Sequence, residues 1–193
     1  MRLFVALEVP EDWRAAAHMA TEVIARSTLV PLRRVDPALM HLTLRFLGEV
    51  DPERLVDLCE ALARRVPPVG LTLELGAANT FGRPDRTNAV WLGIGGDVPG
   101  LRALARRVER AVRDVGLPLD DRTLQPHLTL ARLGTAATAE QRRTVAETAA
   151  MLPPLPAAPF RVREVVLVQS RLGGRAPRYE VLARIVDVPT ARG

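Results

Sequence analysis

The order of apolar and polar positions repeats along the chain. Leu3 to Val9 is an apolar run of strand length, and Pro10 and Glu11 open a helical segment with Trp13, Ala16, Ala17, Ala20, Val23 and Ile24 on one face. His41 to Leu47 reads as a strand. Asp51 is a good N-cap with Pro52 at the first helical position, and the helix that follows carries Leu55, Leu58, Cys59, Leu62 and Val66. Gly70 to Leu75 alternates as a strand does. Gly76 to Asn88, rich in Gly, Asn, Pro and Asp, marks a turn or linker. The order then recurs. Ala89 to Ile94 is a strand, and Leu101 to Val115 is an amphipathic helix with Leu101, Leu104, Ala105, Val108, Val112 and Val115 at helical spacing and Gly116 beyond its end. His127 to Leu133 is a strand, and Thr138 with Gln141 makes a capping box for a helix ending near Leu152. Past the proline-rich Pro153 to Pro159, a long strand runs from Phe160 to Ser170 and a last one from about Tyr179 to Val186.

Both halves therefore read strand, helix, strand, helix, strand. This predicts an α+β fold of two similar lobes, about residues 1–78 and 89–170, with strand 179–186 completing a sheet. Equivalent strands of the two lobes would then face one another across a cleft.

The chain has 193 residues, enough for one domain or two small lobes around a real core. Hydrophobic residues make up 48% and charged residues 25%, the balance of a folded chain and not a disordered one. No apolar run is long enough to cross a bilayer. Met1 to Pro10 carries Glu8 and lacks the shape of a signal peptide, so the expectation is a cytoplasmic protein with no membrane contact, a monomer by default. The single cysteine, Cys59, excludes an internal disulfide and reads as a small hydrophobe. Net charge is +5, and every cation is arginine. Arginine suits bidentate phosphate contact, although a GC-rich genome would produce the same absence of lysine.

Chemistry enters with the histidines. The chain has three, and His41 and His127 sit in the identical tetrapeptide His-Leu-Thr-Leu, at the same place in each half. In a strand, His41 and Thr43 point one way and Leu42 and Leu44 the other; the same holds for His127 and Thr129 against Leu128 and Leu130. The leucines suit a core. The His and Thr suit a shared polar surface, because burying them unpaired costs about 1–3 kcal/mol per group. Two imidazoles on one pocket can do concerted acid–base work, one taking a proton from water while the other protonates a leaving oxygen. The hydroxyls can donate to phosphate oxygens. No acidic residue joins either motif to complete a metal-ligand set, so no metal or cofactor is expected. His18, on the first helix, reads as a surface or boundary residue.

The paired motifs, with Arg2-Leu3-Phe4-Val5-Ala6-Leu7-Glu8, His41 to Val50, Val90-Trp91-Leu92-Gly93, Pro126 to Arg132, Ser170-Arg171-Leu172 and Tyr179, resemble the two-histidine (2H) phosphoesterase superfamily. The chain looks most like its RNA 2',3'-cyclic phosphodiesterases, first described as 2'-5' RNA ligases. The resemblance implies a bilobal α+β fold with two antiparallel sheets lining a central cleft and helices packed on the outside. The resemblance implies metal-independent hydrolysis of a terminal 2',3'-cyclic phosphate to a 2'-phosphate, on RNA ends such as tRNA fragments or on cyclic nucleotides. It implies His127 as base for water and His41 as acid for the 3' oxygen, with Thr43, Thr129 and Arg132 on the phosphate. Strict alternation puts Arg132 on the leucine face, so reaching the cleft requires a bulge or the strand's end there. Phe4, Phe46 and Tyr179 are candidate base or RNA contacts, with a core role equally open for Phe4 and Phe46, and a solvated strand-end cation is the other reading of Arg132.

Family members often carry a tryptophan shortly before the first motif. Here that stretch is Arg33-Arg34-Val35-Asp36-Pro37, with Arg34 as the candidate phosphate contact. Leu172 to Arg178 reads either as a basic flap or as a hairpin connection. Arg102, Arg106, Arg107, Arg110 and Arg113, opposite their helix's apolar stripe, read either as a solvated face or as a patch steering RNA. Two alternatives to hydrolysis stand beside it: ligation of the same cyclic end to a 5'-hydroxyl, and non-catalytic binding of phosphorylated RNA ends.

Overall fold

The computed structural model describes residues 1–28, 32–66, 70–119, 123–171, 173 and 177–186. In chain order the elements are β1 (Arg2–Glu8), α1 (Glu11–Arg26), β2 (Leu32–Arg34), β3 (His41–Glu49), α2 (Leu55–Arg65), β4 (Thr72–Thr80), β5 (Ala89–Gly96), α3 (Val98–Asp114), β6 (His127–Leu133), α4 (Ala139–Ala150), β7 (Phe160–Arg161), β8 (Glu164–Arg171) and β9 (Arg178–Val186).

The helix boundaries follow from local chemistry. Asp51 accepts the Glu53 N–H at 3.0 Å and opens a short 3-10 turn that leads into α2. Asp97 accepts the Gly100 N–H at 2.8 Å at the start of α3. Beyond α3, Gly116 takes φ +67°, a left-handed conformation in which a side chain is strained. Thr138 and Gln141 form the expected reciprocal cap of α4. In α1 the buried stripe is Trp13, Ala16, Ala17, Ala20, Thr21 and Ile24. Val23, expected on that stripe, is 50% exposed. Thr21 takes the buried place and satisfies its hydroxyl by donating to the Ala17 carbonyl at 2.7 Å.

Two antiparallel sheets form, in the orders β3-β1-β8-β9 and β2-β6-β5-β4-β7. The duplication is visible here: β3, β1, β8 and β9 of the first sheet correspond to β6, β5, β4 and β7 of the second, and β2 is an addition outside β6. The sheets do not follow the division at 1–78 and 89–170. Strand β4, from the first half, lies in the second sheet, while β8, from the second half, pairs with β1 in the first. The halves thus exchange their third strands.

Two further expectations are corrected. Gly76 to Thr80 is not linker: β4 continues through it, with a register irregularity between Leu75 and Ala78. The glycines permit this, since a Cβ on Gly76 would lie 3.0 Å from the Gly93 backbone of the neighbouring strand. The run from Phe160 to Ser170 is broken after Arg161. β7 pairs with β4 in one sheet and β8 with β1 in the other, so the chain crosses between sheets at Val162 and Arg163.

Helices α2 and α3 pack together, with α3 against β3; α1 packs against β6, and α4 against β4 and β5. The large core runs between helices and sheets and holds Leu42 and Leu44 of β3 with Leu128 and Leu130 of β6. The opposite faces of the sheets carry the polar residues of the repeated motifs, and β3 and β6 come into contact with each other. Among the described residues no helix is long and apolar enough to cross a membrane. Cys59 is partly buried, and that burial pushes its thiol pKa up.

Candidate active site

The two copies of the motif build the same local device. In each strand the histidine and threonine are half-buried while the flanking leucines are buried. His41 Nδ1 lies 2.8 Å from the Leu39 carbonyl oxygen, and His127 Nδ1 lies 2.7 Å from that of Gln125. A carbonyl oxygen only accepts, so Nδ1 is the donor in both rings. Nε2 is then the free nitrogen of each imidazole, able to give or to take a proton.

Alternation is interrupted just past each threonine. In the first sheet Ala6 pairs with Thr43 and Val5 with Arg45, leaving Leu44 as an extra residue. In the second, Trp91 pairs with Thr129 and Val90 with Ala131, leaving Leu130 extra. These bulges turn two consecutive residues toward the core side, Leu44 with Arg45 and Leu130 with Ala131, all buried. The next residue then shares the face of the histidine. Phe46 and Arg132 take that place and are exposed. The bulge needed to bring Arg132 to the cleft is present.

Two electrostatic effects link the sheets. His41 has its pKa lowered by burial first, against an opposing effect of the Leu39 carbonyl, and the charge of His127 lowers it further. Tyr179, on β9 of the first sheet, has its pKa raised by burial, while the charges of Arg2 and of Arg132 pull it down. His127 and Arg132 belong to the second sheet, so each sheet's polar face feels the other's. The sheets face each other across a shared cleft.

Each imidazole is also held by aromatic rings. Phe4 stacks on His41 with centroids 4.6 Å apart and an interplanar angle of 28°, and Tyr179 meets the same ring edge-on at 5.3 Å. Phe81 stands perpendicular to His127 at 5.1 Å, with Trp91 at 5.9 Å. These contacts restrict ring rotation, which is what proton transfer to a fixed point requires.

The remaining expected residues divide. Tyr179 lies beside His41, and Phe46 is 59% exposed on the cleft face, open to a stacking ligand. Phe4 is only 2% exposed, so it supports His41 from beneath and offers no open platform. Arg34 lies across from Ala131, on the helix-facing side of β2, where it pairs with Glu22 of α1. Its neighbour Arg33 pairs with Arg132 and shares the cleft face. His18 is exposed. The five arginines of α3 are exposed on the helix layer outside the sheets. Of the segment Leu172 to Arg178, Leu172 and residues 174–176 lie outside the described residues, and Arg171 pairs with Arg178 across the β8–β9 hairpin.

The alternation of the chain carried no signal for Arg33 or Phe81: Arg33 is cleft-side only through strand pairing, and Phe81 lies in a stretch that reads as linker. Arg2 and Trp91 take their faces from alternation against the core residues Leu3, Val90 and Leu92. Among the described residues no group of three His, Cys, Asp or Glu side chains is placed to hold a metal ion. No protein hydrogen bond engages the hydroxyl of Thr43 or Thr129 among the described residues, which leaves both to donate to a ligand. The arrangement can move one proton onto and another off a phosphate held between the sheets.

A family model described as the 2'-5' RNA ligase superfamily matches residues 9–174. An Aeropyrum pernix protein named RNA 2',3'-cyclic phosphodiesterase is 37% identical over 106 residues, 55% of this chain and 60% of that protein. A Geobacillus stearothermophilus protein of the same name is 34% identical over 146 residues, 74% of this chain and 44% of that one. The matched segments thus span about half the length of these two curated relatives. The crystal structure of E. coli LigT complexed with 3'-AMP covers 96% of this chain and 97% of its own, at 30% identity and a TM-score of 0.74.

Proposed function

Given that the chain belongs to the 2'-5' RNA ligase superfamily, we propose that it is an RNA 2',3'-cyclic phosphodiesterase. It hydrolyses the cyclic phosphate at an RNA 3' end, or on a cyclic nucleotide, to a 2'-phosphate. The observation that carries this reading is the pair of imidazoles, each anchored through Nδ1 to a backbone carbonyl and each offering Nε2 to the same cleft. The shared name of the relatives supports it.

In the proposed step, water attacks phosphorus and gives a proton to Nε2 of His127. The bond from phosphorus to the 3' oxygen breaks, and that oxygen takes a proton from Nε2 of His41. The 2' oxygen keeps the phosphate, and proton exchange with solvent resets the pair. Thr43 and Thr129 donate to the non-bridging oxygens. Arg132 adds charge where the transition state concentrates it. A nucleobase lies on the first-sheet side, against Phe46 and Tyr179.

The test is phosphorus NMR of a 2',3'-cyclic nucleotide incubated with the protein and EDTA. The expected product is the 2'-monoester alone. No opening, opening only after metal is added, or a 3'-monoester overturns the reading. Ligation is the same chemistry run backwards with a 5'-hydroxyl in place of water. Joined product from mixed tRNA halves would reveal it.

A further inference from the structure

Strand β2 has no counterpart in the first sheet, where β3 is the edge. It pairs antiparallel with β6, with Leu32 opposite Leu133, Arg33 opposite Arg132 and Arg34 opposite Ala131. Residues paired in this way share a face of the sheet. Leu32 and Leu133 lie against the core, which puts Arg33 on the cleft face beside Arg132. Both are exposed.

Several exposed arginines have carboxylate partners: Arg34 with Glu22, Arg65 with Asp114, Arg171 with Glu180, Arg184 with Glu8 and Glu164. Among the described residues no ion pair or hydrogen bond engages Arg33 or Arg132. Like charges directly opposite in a sheet repel one another. A pair set in this way at a cleft, with no protein anion beside it, fits a ligand carrying more than one negative charge.

The ligand's chemistry says which charge that is. Arg132 sits on the same strand as His127 and serves the cyclic phosphate. Arg33 is one strand further out. In an RNA end, the next negative charge is the phosphodiester that joins the cyclic nucleotide to its 5' neighbour. We infer that Arg33 binds this phosphodiester, so that the protein prefers an oligonucleotide end to a cyclic mononucleotide. The inference rests on the phosphodiesterase reading of the cleft. It also gives the substrate a direction: backbone over the second sheet, base over the first.

The experiment compares kcat/KM on three substrates: a 2',3'-cyclic mononucleotide, a dinucleotide with the same cyclic end, and that dinucleotide with an uncharged methylphosphonate linkage. The wild type is expected to prefer the charged dinucleotide by about tenfold, the worth of one charge-assisted hydrogen bond. Arg33→Ala is expected to abolish that preference, and the uncharged linkage is expected to abolish it without any mutation. Arg34→Ala removes one cation from the other face of the same strand and is expected to keep the preference. The inference is overturned if Arg33→Ala lowers all three alike, if the wild type treats the two dinucleotides alike, or if Arg34→Ala erases the preference as well. A wild type that opens none of the three overturns the phosphodiesterase reading itself, which is a different result.

Discussion

Phe46 and Arg132 stand at the same place in the two copies of the motif. Each directly follows a bulge that turns it onto the face of its own histidine. The duplicated strand thus delivers a ring to one wall of the cleft and a cation to the other. Equal backbones carry unequal side chains, and the difference assigns work to the two walls.

Arg132→Ala is expected to lower kcat about a hundredfold, because charge aimed at a developing oxyanion acts mainly in the transition state. Phe46→Ala is expected to raise KM by several-fold and leave kcat near the wild-type value. Steady-state kinetics on a dinucleotide with a 2',3'-cyclic phosphate end checks both. A KM effect from Arg132 and a kcat effect from Phe46 would reverse the assignment.

His41→Ala and His127→Ala are each expected to lose about 10²–10⁴ in kcat, the range for a positioned acid or base. The far-UV circular dichroism of both variants is expected to match the wild type, since neither ring belongs to the main core. Either variant retaining a near-native rate contradicts a two-histidine mechanism.

The His41 ring is expected to titrate below the ordinary value of 6.5, since burial disfavours its cation and the charge of His127 adds to that. Its titration by NMR in the unliganded protein tests this. In His127→Ala the midpoint is expected to rise, because the repulsion is gone, and to stay below 6.5, because burial is the larger cause. The linkage follows. A lowered folded pKa means that the unfolded chain binds the proton more readily, so this contribution to stability is complete above 6.5 and is lost as pH falls through the folded value.

Arg45 is turned into the core side by the first bulge and is 7% exposed, paired with Glu109 of α3 at 3.2 Å. Glu109→Ala is expected to destabilise the fold by about 1–3 kcal/mol, as it removes a charge-assisted hydrogen bond from a buried guanidinium. Thermal unfolding measures it. A change within a few tenths of a kcal/mol would mean that the pair is solvated in practice.

Much of this was readable from the chain. The repeated His-Leu-Thr-Leu carries its own alternation, so the faces of His41, Thr43, His127 and Thr129 follow from local geometry. The end of α3 at Gly116, the cap of α4 and the start of α2 are chemistry within four residues, whereas α3 starts at Val98 behind the Asp97 cap, three residues before the expected Leu101. What was not readable depends on pairing between distant segments. β2 is three residues long with two arginines, too short and too polar to register as a strand, and the choice between Arg33 and Arg34 is fixed only by its pairing with β6. The exchange of β4 and β8 leaves no periodic trace. The apolar run after Phe160 looks continuous because both pieces are buried strands, although they lie in different sheets. Gly76 and Ala77 look like a turn, yet the chain stays in the sheet because glycine lets the neighbouring backbone approach.

The most direct test is a crystal structure with a nucleoside 2',3'-cyclic vanadate, a mimic of the five-coordinate phosphorus in the transition state. Nε2 of His41 and Nε2 of His127 are predicted to lie about 3 Å from two different oxygens on one vanadium, on opposite sides of it. A vanadate reached by a single imidazole, or held away from both, would contradict the account.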